Sequence, residues 1–271
     1  MIGRFRCGVD DALFRDSGPI ERAIVVFPRS SVWIAHEGSP PFVANPNVVT
    51  IYNRGQRYER RAISSDGDRC DWFAVSDAVA REIVAAFDES AAESAGVFRF
   101  EAAPSTPSLY VQQRRVACRA ARGTADALAL EEDVIDVVSS VMSLAYQRPL
   151  TRLARRPTAI ARRRDLIEAA KAELLRTMSV NSSVDEIART LGTSPFHLCR
   201  VFRAATGLTM HGYRSDARVR AALELLGDDA NPVTLSVVAH RLGFASHSHF
   251  ISVCRRHLGE TPRAIRDLLS V

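Results

Sequence analysis

Residues 242–250 read LGFASHSHF and place His247 and His249 two apart, with Ser246 and Ser248 beside them. A His-x-His pair is a recurring metal motif, because imidazole nitrogens bind zinc and its neighbours. The nearest further ligand in sequence is Cys254, seven residues after His247. On a helix that is two turns, about 10 Å of rise, too far for one ion to bridge. The same histidines and serines on the first turn of a helix would instead suit contact with a nucleic acid. A second set lies in the first half: Cys7, His36, Cys70 and Cys118, with Asp68 and Asp71 nearby in sequence. Three thiols and an imidazole would suit zinc or a softer metal, or a thiol-based sensor. No C-x-x-C or H-x-H spacing supports that set, and free cysteines buried as small apolar groups are the alternative. Trp33, His36, Tyr52 and Trp72, with Phe42, are candidates to line a pocket for an organic ligand, or else aromatic core. Residues 1–150 hold no convincing Ser/His/Asp set, phosphate loop or dinucleotide fingerprint. No enzyme and no cofactor are expected.

The elements that position these residues fall into two kinds. The chain has 271 residues, 46% of them hydrophobic, enough for one large domain or two modest ones. No run of about 18 apolar residues exists, so no membrane span is expected. The start, MIGRFRCGVDD, lacks the apolar region of a signal peptide, and the expected location is cytoplasmic. Five widely spaced cysteines, an odd number, suggest free thiols in a reducing compartment. The net charge of +5 is divided unevenly: residues 1–150 hold 17 Arg against 20 Asp and Glu, and residues 151–271 hold 19 Lys and Arg against 11. An acidic front and a basic back suggest two domains, with the back one facing a polyanion.

The front reads as β structure. AIVVF (23–27), SVWIA (31–35), NVVTIY (47–52), RYERRAI (57–63) and RCDWFAV (69–75) are short runs rich in β-branched and aromatic residues, divided by turn formers. A small β-barrel over about 20–105 is expected. From 107 to 147 the apolar spacing turns helical, with Leu130, Val134, Val138, Val141 and Ala145 at three- and four-residue steps and Asp126 at a start. This helical pair either covers the barrel or forms a seam between two copies of the chain, and a homodimer through it is the expectation. Residues 148–161, rich in Arg with two prolines, are the expected linker.

The back, 162–271, is helical and repeats. Ala188 and Gly192 recur 51 residues later as Ala239 and Gly243. After one extra residue, Ser194, Leu198, Arg203, Gly207, Thr209 and Arg214 recur 52 later as Ser246, Phe250, Arg255, Gly259, Thr261 and Arg266. A repeat of this kind is one supersecondary unit used twice. In the first copy Ser183 and Glu186 form a capping box, Gly192 ends a helix, and Ser194 with Pro195 starts the next. Ile187, Ala188, Leu191, Leu198 and Phe202 would pack between the helices. That is helix-turn-helix geometry, in which the second helix meets base edges from its exposed face. The candidates there are Ser194, Phe196, His197, Cys199, Arg200 and Arg203 in the first copy. In the second they are Ser246, His247, Ser248, His249, Ser252, Arg255 and Arg256. A basic helical protein that binds nucleic acid without sequence choice is the competing interpretation.

These residues carry a resemblance. Residues 162–271 are similar to the double helix-turn-helix domain of AraC/XylS-type bacterial transcription regulators. The first unit fits through Ile187-Ala188, Leu191-Gly192, Ser194, Leu198, Arg200, Phe202-Arg203, Gly207, Thr209 and Tyr213-Arg214. The second fits through Ala239, Gly243-Phe244, Ser246, Ser248, Phe250, Arg255, Gly259, Thr261-Pro262 and Arg266. Ser252 departs where the family often has Arg, and Cys254 where it usually has Phe. The resemblance implies two recognition helices, joined by a long helix near 210–226, that enter successive major grooves of double-stranded DNA. It implies a cupin-like front domain that senses a small-molecule effector or holds a dimer, and RNA polymerase as a further partner. The metal set of a cupin enzyme is not expected, because His36 is the front half's one histidine.

Overall fold

The computed structural model describes residues 1–15, 17–92, 96–123, 126–147, 158–227 and 233–269. The chain divides into two compact units, Met1–Leu153 and Ala154–Val271.

The first unit is built on two antiparallel sheets. Its strands are β1 (Ile2–Cys7), β2 (Ile24–Pro28), β3 (Val32–His36), β4 (Phe42–Ala44), β5 (Val48–Tyr52), β6 (Tyr58–Ala62), β7 (Asp68–Ala74) and β8 (Ala102–Pro104). One sheet has the order β1-β7-β2-β5-β8 and the other β4-β3-β6. Among the described residues no ladder joins the two sheets, so the expected barrel is not closed. Their edges discourage closure. β1 places Arg4 and Arg6 on its exposed side, β6 exposes Glu59 and Arg61, and β8 ends at Pro104, which has no N–H to donate. The five strand runs read from the sequence became β2, β3, β5, β6 and β7. β1, β4 and β8 were not anticipated: two have three residues, and β1 carries a glycine and two arginines. Gly3 is there because the Trp72 indole lies over it, where a Cβ would come within 2.2 Å of the ring.

Short helices α1 (Ala12–Arg15), α2 (Asp77–Ala85) and α3 (Glu89–Ala92) precede the pair α4 (Pro107–Arg122) and α5 (Ala127–Gln147). Thr106 caps α4, and Gly123, at φ 66°, ends it. Asp126 accepts from the N–H groups of Leu128 and Ala129 and so starts α5. Val134, Val138, Val141 and Ala145 pack with Val25, Val49, Ile51 and Phe73, so the pair covers one face of the larger sheet. A second core, including Val32, Ile34, Phe42, Val48 and Tyr52, lies between the sheets. Asp71, fully buried on β7, meets Arg114 of α4 at 2.7 Å, Arg4 of β1 at 3.4 Å and Arg29 at 3.6 Å. A buried carboxylate is tolerated when cations and hydrogen bonds replace its water.

The second unit is helical: α6 (Thr158–Arg176), α7 (Val184–Thr190), α8 (Pro195–Thr206), α9 (Met210–Leu226), α10 (Leu235–Arg241), α11 (His247–Leu258) and α12 (Pro262–Leu269). Of the stretch expected as linker, 148–157 lie outside the described residues, and 158–161 are the first turn of α6. No proline or glycine follows Pro157 to stop that helix. α9 feeds two cores. Met210 and Tyr213 pack with Ile187, Leu198 and Phe202, and Val219, Ala222 and Leu226 pack with Val238, Phe244 and Phe250. Among the described residues no helix is long and apolar enough to cross a membrane.

Candidate nucleic-acid interface

The two helical hairpins, α7–α8 and α10–α11, are built alike. The Ser183 hydroxyl accepts from the Glu186 N–H at 3.2 Å, and the Glu186 carboxylate accepts from the Ser183 N–H at 2.7 Å. That N–H holds the Glu186 carboxyl below its ordinary value. Thr234 caps α10 by accepting from the Val237 N–H at 3.3 Å. Gly192 (φ 63°) and Gly243 (φ 72°) then reverse the chain in the left-handed region that favours glycine. The turns close identically: Thr193 N–H donates to the Ala188 carbonyl at 3.0 Å, and Phe244 N–H to that of Ala239 at 2.9 Å. Ser194 and Ser246 cap the second helices through the N–H groups of His197 and His249.

Each second helix buries one face and exposes the other. Leu198, Val201 and Phe202 of α8 are buried, as are Phe250, Val253 and Cys254 of α11. Ser194, Phe196, His197, Cys199, Arg200 and Arg203 are exposed, with Phe196 at 80%. Ser246, His247, Ser248, His249, Ser252, Arg255 and Arg256 are exposed in the same way. Arg200, Arg203, Arg255 and Arg256 make no ion pair among the described residues. An exposed apolar ring beside free guanidinium groups is poorly matched to water alone and well matched to stacked bases between phosphates.

His249 does more than face solvent. Its Nδ1 accepts from the Ala245 N–H at 3.3 Å, and its ring stands edge-on to Phe244 at 5.8 Å. It holds the third position of α11, where Glu186 sits in α7. With Nδ1 used as acceptor, Nε2 carries the proton available to donate outward. Cys254 points into the core, where burial pushes its thiol up to about 12. His247 and His249 are exposed at the start of the helix while Cys254 is buried two turns further on, and among the described residues no metal triad forms there.

The repeat contains a role that its pattern did not disclose. Arg214 Nη1 donates to the Ser182 carbonyl at 2.9 Å, and Arg266 Nη2 to the Val233 carbonyl at 2.7 Å. Each carbonyl belongs to the residue just before the cap of the first helix. The recurring arginine thus ties down the chain entering its own unit. Its recurrence was the signal, although nothing in the sequence named the acceptor.

In the first unit the candidate residues separate. Tyr52 and Trp72 line a cavity of about 490 Å³ whose walls include Ile24, Val26, Val32, Ile34, Tyr58, Arg60 and Asp68. Trp33 does not line it. Val32 and Ile34 face the cavity, so the pleat turns Trp33 the other way, where Arg61 lies 5.8 Å from its ring. His36 is buried outside the cavity wall, 4.6 Å from the Tyr52 ring and 3.7 Å from the Glu101 carboxylate. Arg60, missed in the sequence, and Asp68, named there only beside the candidate metal set, form the cavity's buried polar pair at 3.1 Å, with Arg60 over the Phe5 ring at 4.7 Å. Burial pushes the Asp68 carboxyl up, against the pull of Arg60.

Cys7 and Cys70 are buried between the sheets, and burial raises both thiols. Cys118 is on α4, its sulfur 4.0 Å from Arg4 Nη2. Cys7, His36, Cys70 and Cys118 do not converge: among the described residues no three His, Cys, Asp or Glu side chains could hold a metal.

Residues 187–267 match a helix-turn-helix domain family. The HTH-type transcriptional regulator RipA of Corynebacterium glutamicum is 38% identical over 81 residues, 30% of this chain and 24% of RipA. The HTH-type transcriptional regulator GlxA of Rhizobium meliloti is 34% identical over 80 residues, 30% of this chain and 24% of GlxA. The match thus spans about a quarter of the length of these curated relatives. Among solved structures, ToxT from Vibrio cholerae aligns over 99% of this chain and 96% of its own, at 12% identity and a TM-score of 0.40.

Proposed function

We propose that the helical unit is a double helix-turn-helix domain of the AraC/XylS type and that the chain is a cytoplasmic, sequence-specific transcription regulator. One observation carries the proposal: α8 and α11 are capped alike, buried alike, and expose four guanidinium groups that no carboxylate of the described residues neutralises. In this reading Arg200 and Arg203 of α8, with Phe196, His197 and Cys199, meet one major groove. His247, Ser248, Ser252, Arg255 and Arg256 of α11 meet the next. His249 donates from Nε2, and Ser194 and Ser246 sit closest to the backbone phosphates. Because Ser252 is short and neutral, the α8 half supplies more of the base discrimination.

The sheet unit, cupin-like in this reading, is the sensor. Its cavity takes a largely apolar effector with a polar group directed at the Arg60–Asp68 pair. Homodimerisation uses the outer side of α5, where Leu128 is 65% and Ile135 40% exposed. RNA polymerase is the further partner.

Selection of duplexes from a random library, followed by footprinting, tests the reading. A preferred sequence bound far more tightly than bulk duplex, at fixed salt, is expected. Arg200→Ala should relax preference at one or two base pairs, each bidentate contact being worth about 1–3 kcal/mol. Binding without sequence preference would instead make the chain a general nucleic-acid-binding protein.

A further inference from the structure

Most polar fittings of the helical unit occur twice: Ser194 with Ser246, Thr209 with Thr261, Arg214 with Arg266. A fitting present in both copies serves the copy. Arg218 and Asn181 have no counterparts: the offset of 52 carries Arg218 to Ser270, and the offset of 51 carries Asn181 to Pro232. Residues without a counterpart serve something that exists once, and the relation between the two hairpins exists once.

The geometry agrees. Arg218, on α9, is 5% exposed. Its Nε donates to the Met178 carbonyl at 2.9 Å, and its Nη2 donates to the same carbonyl and to Asn181 Oδ1, the latter at 2.6 Å. The guanidinium carbon lies 5.8 Å from the Phe244 ring centroid. Asn181, held at φ 58°, donates from Nδ2 to the Gly243 carbonyl at 3.2 Å. Met178 and Asn181 belong to the segment leading into α7, and Gly243 and Phe244 to the turn before α11. Met178 also packs against the core of the second hairpin.

The two glycines differ accordingly. A Cβ on Gly192 would meet nothing within 4 Å, whereas one on Gly243 would lie 2.5 Å from the Ser179 carbonyl oxygen. The entry to the first hairpin thus rests against the turn of the second, with a buried cation at the joint. Burial, with the nearby Arg214 charge, pulls Arg218 down to about 10. No carboxylate of the described residues pairs with it, so carbonyl and amide oxygens and an aromatic ring hold the charge instead.

We propose that Arg218, Asn181 and Gly243 form a latch that sets the phase between α8 and α11, so that the chain accepts its two half-sites at one spacing only. The proposal rests on reading α8 and α11 as duplex-reading helices, and Arg218 acts in it as a positioning residue.

Two readouts on the full chain test it. The first needs no DNA: spin labels on Cys199 of α8 and on a Ser252→Cys substitution in α11 report the distance between the helices. Cys199 is exposed and the other four cysteines are buried, so labelling is confined to the two sites. One narrow distance is expected with the latch intact, and a broadened or split distribution in Arg218→Gln and in Asn181→Ala.

The second readout takes the duplex selected from the random library and inserts or deletes one base pair between its half-sites, a turn of about 34°. The parent should lose at least about tenfold in affinity on respacing, and Arg218→Gln less than about threefold. Circular dichroism identifies which variants fold, and Asn181→Ala carries both readouts if Arg218→Gln does not. Unchanged distances in the folded variants, or a respacing penalty equal to the parent's, overturn the latch. If the library returns no preferred duplex, the regulator reading fails by itself, and the distance measurement still decides the latch.

Discussion

Two glycines with the same backbone conformation should respond very differently to the same substitution. Gly192 and Gly243 both sit at positive φ, at 63° and 72°. Alanine at either must enter the left-handed region, a strain of roughly 1–2 kcal/mol. At Gly192 nothing further is in the way. At Gly243 the new methyl falls 2.5 Å from the Ser179 carbonyl oxygen and 2.9 Å from Arg218 Nη2. The first neighbour is backbone, and the second makes two of the three hydrogen bonds that hold the Arg218 guanidinium, so neither moves freely. Displacing Arg218 forfeits charged hydrogen bonds worth about 1.5–3 kcal/mol. Gly192→Ala should therefore cost about 1–2 kcal/mol and Gly243→Ala about 2.5–5 kcal/mol, summing the two effects. For a helical unit of this size each kcal/mol lowers the midpoint by roughly 4 °C. Both tryptophans, Trp33 and Trp72, lie in the sheet unit, so fluorescence follows that unit while ellipticity at the helical minimum follows mainly the other. The ellipticity midpoint should fall by about 4–8 °C for Gly192→Ala and by about 10 °C or more for Gly243→Ala, with fluorescence unmoved. Equal shifts in the two variants would refute the close-approach argument.

Two further outcomes are accessible with simple reagents. An aromatic disulfide reagent should titrate one thiol quickly in the native chain, Cys199, because Cys7, Cys70, Cys118 and Cys254 are buried and burial raises Cys254 to about 12; bound duplex should slow even that one. The capping box should make α7 sensitive to acid: Glu186 is held below its ordinary value by the Ser183 N–H, so its contribution is complete above about pH 4.3 and disappears as pH falls through the lower folded value. Glu186→Gln should flatten that acid limb of the ellipticity-monitored stability, and an unchanged limb would show that the box contributes nothing.

The helical unit was legible because its instructions are local. A cap, a glycine and a proline at fixed spacing state where a helix starts and stops, and a second copy states them again. Strands β2, β3, β5, β6 and β7 were legible for a similar reason, since β-branched runs between turn residues need no partner to be recognised. The closure of the sheets was not, because it depends on which edges remain charged once the strands have paired. Nor did the front candidates keep together. Trp33 and Tyr52 are both aromatic and both on strands, yet the pleat turns one outward and the other into the cavity. Arg60 shows the converse. It stands in a run with Glu59 and Arg61, and only its register against β3 makes it the inward member.

Recurrence carries more information than occurrence alone. Arg214 and Arg218 stand one helical turn apart on α9, and as a pair of basic residues on a helix they look equivalent. The repeat separates them. Arg214 recurs as Arg266, and both bond the carbonyl that precedes their own hairpin. Arg218 does not recur; its hydrogen bonds hold the entry to the first hairpin while its guanidinium lies against Phe244 in the turn of the second. The same comparison divides the glycines: Gly192 is needed for its backbone angle, Gly243 for its angle and for the space above it. In a chain built from two copies, a polar residue that breaks the repeat is a candidate for joining the copies, because a part needed only once has no reason to recur.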